Sequence, residues 1–125
     1  MEQLILHLFG DYITQTDWMA TNKTKNIGIA LLHAFIYSIP FAIVFHPSFV
    51  AAITIYISHA IIDRYRLARF VVFAKNLTTQ PNLKWADCKV TGYHKDRPEW
   101  LAVWLLIVVD NTMHLAINYA ALRWL

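Results

Sequence analysis

From Ile27 to Phe45 the chain carries no Asp, Glu, Lys or Arg. A helix of about 20 apolar residues is what a hydrocarbon core of roughly 30 Å requires. Comparable apolar runs extend from Ser48 to Ile62 and from Glu99 to Arg123. Hydrophobic residues make up 58% of the 125, above the roughly 45–50% of soluble domains. A soluble domain of this size has too little interior to hide such blocks. An all-α, polytopic membrane protein is therefore expected.

The pattern predicts four helices, at about residues 2–20, 27–45, 48–75 and 99–123. They form a single transmembrane domain over 1–125, a four-helix bundle with a polar loop at 76–98. Pro40 marks a kink in the second helix, and Pro98 suits the first turn of the fourth. Gln80-Pro81-Asn82 and Thr91-Gly92 signal turns in the loop.

The net charge is +3, with 11 Lys and Arg. All of these but Arg123 fall in two segments, Lys23–Lys25 and Arg64–Arg97. That clustering beside apolar runs is the mark of cytoplasmic loops and argues against a nucleic-acid partner. It places both termini outside, with Arg64, Arg66 and Arg69 reaching lipid head groups. Trp18, Trp100 and Trp124 sit where interfacial rings anchor helix ends. Cys88 is the only cysteine, so neither an intramolecular disulfide nor a thiolate metal site can form. The N-terminus has no basic n-region and no small-residue cleavage site, so no cleaved signal is expected.

Polar residues interrupt the apolar segments at helical spacing. His7 and Asp11 are four apart in the first, His59 and Asp63 in the third, Asp110 and His114 in the fourth; the second carries His33. Pairs at i,i+4 share one helix face, so Leu4, Ile5, Leu8 and Tyr12 should turn outward. An ionised Asp near the centre of a spanning helix costs roughly 2.5–3.5 kcal/mol, so Asp11, Asp63 and Asp110 together cost about 8–10 kcal/mol. Something must offset that.

Three readings compete. The residues can be interhelical hydrogen bonds that glue a bundle. They can be metal ligands, since imidazole and carboxylate without thiolate suit a divalent ion such as zinc, manganese or iron. Seven ligands exceed the need of one zinc and would serve two carboxylate-bridged ions. Or they can pass protons or cations, which in a four-helix chain calls for a homo-oligomer.

The stretches HLFGDYITQTDWMATNK, LLHAFIY and YISHAIID resemble the membrane family called domain of unknown function 3307, in His7, Gly10, Asp11, Gln15, Lys25, His33, His59 and Asp63. The resemblance covers the first half of the chain; beyond it only Asp110 and His114 correspond. It implies a small multi-pass protein of a bacterial inner membrane or of phage origin, with no activity attached. In its His/Asp pattern alone the chain is also similar to membrane-bound metal-dependent hydrolases. The reading carried forward is a metal-binding membrane protein whose ligands are His7, Asp11, His33, His59, Asp63, Asp110 and His114. A hydrolase acting on a membrane-embedded substrate is its extension. A cation-transport subunit and a non-enzymatic phage-associated protein are the alternatives.

Overall fold

A computed structural model describes all 125 residues. Every regular element is helical: α1 (Glu2–Leu8), a π-helix (Phe9–Ile13), α2 (Asp17–Asn22), α3 (Ile27–Phe45), α4 (Phe49–Tyr65), α5 (Ala68–Leu77), α6 (Trp85–Cys88) and α7 (Glu99–Trp124). The chain divides into two compact units. The first comprises Met1–Tyr65 with His114–Leu125, the second Arg66–Met113.

In the first unit, α3 and α4 pair as a hairpin. Asn26 opens α3, its side-chain oxygen accepting from the Gly28 and Ile29 amides at 2.8 and 3.3 Å. His46 closes it in the left-handed region, at φ 46°. The Ser48 hydroxyl then accepts from the Ala51 amide at 3.1 Å, satisfying an orphan donor at the start of α4. Two bonds tie α7 to this unit: Gln3 Nε2 donates to the Leu115 carbonyl at 2.6 Å, and Ser48 Oγ to that of Leu125 at 2.9 Å. Tyr37, Phe41, Ala51, Ile55 and Ala121 form the apolar core.

The expected first helix at 2–20 is shorter and broken. Its α and π segments end at Ile13, about 18 Å of helix against a hydrocarbon core of roughly 30 Å. Thr16 then turns extended and caps α2, its hydroxyl accepting from the Met19 amide. The third helix, expected at 48–75, breaks at Arg66, where φ is 52°. A bulky residue in the left-handed region cannot continue a right-handed helix.

Of the four spanning helices expected, two are long and apolar enough to cross a membrane. They are Ile27–Phe45, of mean hydropathy 2.1, and Glu99–Trp124, of mean hydropathy 1.6. Only 28% and 11% of their apolar windows are buried, so most of the apolar surface of each helix faces outward. The exposed flank of α3 is Leu32, Phe35, Ile39 and Ile43, while His33 and Tyr37 lie on the buried side. A polar inside with an apolar outside is what a lipid solvent selects.

In the second unit the polar segment at 76–98 is folded. Arg66 and Arg69 donate to the Val90 and Lys89 carbonyls at 2.8 and 3.1 Å, so each guanidinium helps to hold a turn. Trp85 stacks on Phe70 with ring centroids 4.8 Å apart. Gly92, at φ 83°, lies so close to the Arg69 carbonyl and Val72 that no side chain fits there.

Candidate metal centre

His7, Asp11, His33, His59, Asp63 and His114 are all buried and all belong to the first unit. They come from α1, the π-helix, α3, α4 and α7, so no pair of neighbouring helices alone builds the cluster. Asp110 stands one turn before His114 on α7, half-buried, and falls in the second unit.

Helix periodicity explains the convergence. The buried positions of α3 are Ala30, His33, Ala34, Tyr37 and Phe41, one stripe at the three- and four-residue spacing of a packed face. On α4 the buried positions are Ala51, Ile55, His59, Ala60, Ile62 and Asp63. On α1, His7 is buried while Leu4, Ile5 and Leu8 turn outward, and so does Tyr12 of the π-helix, as the stripe predicts. The π-helix lets Gly10 lie flat against Tyr37: a Cβ at Gly10 would meet the ring at 2.5 Å. Widened turns of this kind recur at functional sites, and here Gly10 and Asp11 are its buried residues.

Four groups face one point. His33 Nε2 lies 3.1 Å from Asp11 Oδ1 and 3.3 Å from Asp63 Oδ2. His59 Nε2 lies 3.3 and 3.2 Å from the same two oxygens. The two Nε2 atoms are 3.0 Å apart. All four residues offer ligand atoms within 4.8 Å of one another. Tetrahedral ligands at zinc–nitrogen and zinc–oxygen distances of about 2.0–2.1 Å stand about 3.3–3.4 Å apart. Cis ligands of an octahedral ion at about 2.1 Å stand roughly 3.0 Å apart. The five measured edges of the tetrad, 3.0–3.3 Å, fall in the range spanned by these coordination polyhedra.

Around this tetrad lies a second layer. Each carboxylate turns its other oxygen to a further histidine: Asp11 Oδ2 is 3.4 Å from His7 Nδ1, and Asp63 Oδ1 is 3.6 Å from His114 Nε2. The Tyr37 hydroxyl lies 2.9 Å from His7 Nδ1 and accepts from Asn118 Nδ2 at 2.6 Å. Outer partners of this kind orient ligating carboxylates. The Nδ1 atoms of His33 and His59 are buried and have no hydrogen-bond partner, unlike most metal-bound histidines. Packing fixes these rings instead. Tyr37 stacks on His59 at 3.7 Å between centroids and 20° between planes, and His33 sits 4.9 Å from His59. The rings' only polar outlet is Nε2, directed into the tetrad.

Lys23 was not among the expected site residues. Its ammonium lies 2.7 Å from Asp63 Oδ2, the same oxygen that faces both histidines. Lys25, which carried the family resemblance, is exposed. The signal for Lys23 was its place in a basic pair directly before α3. Arg64 belongs to the same corner, donating to the Thr24 carbonyl at 2.7 Å.

The profile of DUF3307, described as a protein of unknown function, matches residues 1–81. The chain belongs to that family. No curated protein and no solved structure matches it. The DUF3307 match takes in the whole tetrad, Lys23, His7 and Tyr37, and ends before α7 begins. His114 and Asn118 are therefore supplied by a part of the chain outside the matched region. The family description names no activity, so the likeness to hydrolases gains nothing from it.

Proposed function

We propose that this DUF3307 protein is a membrane-embedded metal-binding protein whose ion is held by His33, His59, Asp11 and Asp63. The observation that carries the reading is the tetrad itself, with five ligand-atom edges between 3.0 and 3.3 Å. Two carboxylates and two imidazoles neutralise a divalent cation, and the nitrogen–oxygen set suits zinc, manganese or iron. Desolvating two carboxylates in this interior is costly unless a cation offsets it. His7 and His114 support the carboxylates from outside. Asp110 is proposed as a further acidic group of α7, one turn from His114. The setting we propose is a multi-pass protein of a bacterial cytoplasmic membrane, with the basic segments inside; the family resemblance and the charge distribution support it.

Four protein ligands close a tetrahedron, whereas catalytic zinc sites keep a position for water. For a tetrahedral zinc the donor count therefore favours structural or transport use of the ion over the hydrolase. A cation-transport role draws support from one observation: polar groups continue beyond the tetrad through His7, Tyr37 and Asn118.

The test is thermal unfolding of the detergent-solubilised chain, stripped of metal and then titrated with zinc or manganese. A ligand that binds only the folded state raises the midpoint by mass action, and about 100-fold saturation over Kd contributes roughly 2.7 kcal/mol. A midpoint indifferent to metal and chelator would overturn the metal reading and leave hydrogen bonding or proton transfer.

A further inference from the structure

We propose that Lys23 is a displaceable cation of the metal site: its ammonium occupies Asp63 in the metal-free protein and leaves when the ion enters. This rests on the metal reading above and concerns what sets the site's affinity. Lys23 Nζ and the two Nε2 atoms converge on one oxygen, Asp63 Oδ2, at 2.7, 3.3 and 3.2 Å. An ion bound to that oxygen would stand within a few ångströms of the ammonium, where repulsion between like charges is strong and weakly screened.

The surroundings allow the exchange. The Lys23 side chain is 15% exposed, against 10% for Asp11, 5% for Asp63 and 0–1% for the two histidines, so it is the most exposed member of the cluster and the one with a long flexible stem. Lys23 closes α2, its amide donating to the Met19 carbonyl at 2.8 Å. The next residue, Thr24, is held by Arg64. The backbone is thus anchored while the long side chain is free to swing. Without the ion, the ammonium offsets one of two apposed carboxylates; with it, the same charge is surplus. The apo protein keeps a formed site, and the ion must outcompete a resident cation to enter.

The experiment is a titration of metal-stripped protein in detergent with zinc(II) and manganese(II), for wild type, Lys23→Gln and Lys23→Arg. Lys23→Gln should bind roughly tenfold tighter or more, and Lys23→Arg should stay near wild type. Because Lys23→Gln can fail to fold, the second readout uses wild type alone. Acylation of Lys23 by an amine reagent, followed by mass spectrometry, should rise several-fold on metal saturation, while Lys84 stays constant as an internal reference. Lys23→Gln binding no tighter than wild type, or Lys23 labelling that does not rise, overturns the exchange. Wild type that takes up no metal overturns the metal reading and this inference together.

Discussion

His33 and His59 stand on separate helices with their Nε2 atoms 3.0 Å apart, and each nitrogen also faces one oxygen of Asp11 and one of Asp63. Two imidazole nitrogens at that separation share at most one proton along the line between them. Adding two carboxylates to the same point makes it a place where a multivalent cation satisfies every group at once.

Gly10 sets how closely the first segment approaches Tyr37. Gly10→Ala forces its Cβ against a ring that is 0% exposed. Overpacking of this kind costs about 1–3 kcal/mol. Chemical or thermal unfolding in detergent should show that loss together with weaker metal binding, because Asp11 is the next residue. Unchanged stability and affinity would mean that the π-helix packs differently.

Tyr37 joins His7 to Asn118 through one hydroxyl. Tyr37→Phe leaves both partners buried and short of a bond, costing roughly 1–3 kcal/mol. Tyr37→Phe combined with Asn118→Leu should cost less than the sum of the single changes, since the groups share one network. Strict additivity in unfolding experiments would contradict the network.

Much of this was readable from residues alone. The bounds of α3 agree with expectation because both ends carry local signals, a capping Asn26 and the Pro47 that follows His46. The buried histidines of α3, α4 and α7 followed from helical spacing. The break at Arg66 was not readable, because an amphipathic pattern continues through it into α5 and the left-handed residue is stabilised by distant contacts with Val90. The π-helix at Phe9–Ile13 places Gly10 against Tyr37, a contact between residues far apart in sequence that no local pattern announces. Which of Lys23 and Lys25 reaches Asp63 depends on how α2 ends, which no periodicity in a six-residue helix reveals.

Cys88 is 1% exposed, and burial, with the charge of Asp87 beside it, pushes its thiol up. A raised thiol carries less thiolate at neutral pH and reacts slowly. Cys88 should therefore resist maleimides in native protein from either side of a membrane and react on unfolding. Topology is better read at Val90, 72% exposed. In a Cys88→Ala background, Val90→Cys should stay unlabelled by an impermeant maleimide in intact cells and label after lysis. Labelling in intact cells would reverse the orientation.

The exposed face of α3 is apolar, with Phe35 at 59%. Phe35→Asp places a charge there at a cost of roughly 2.5–3.5 kcal/mol if that face meets lipid. The yield of the variant in the membrane fraction should then fall well below that of wild type. Equal yields of both would argue that this face of α3 does not meet lipid.

The most direct measurement is metal content per chain, by elemental analysis of protein purified in mild detergent without chelator. Wild type should carry close to one divalent ion per chain, and His59→Ala less than about a tenth of that, because the substitution removes a ligand whose loss lowers binding and folding together. A wild type purified free of metal that takes none up on addition, or a His59→Ala variant that keeps a full complement, would rule out the metal site.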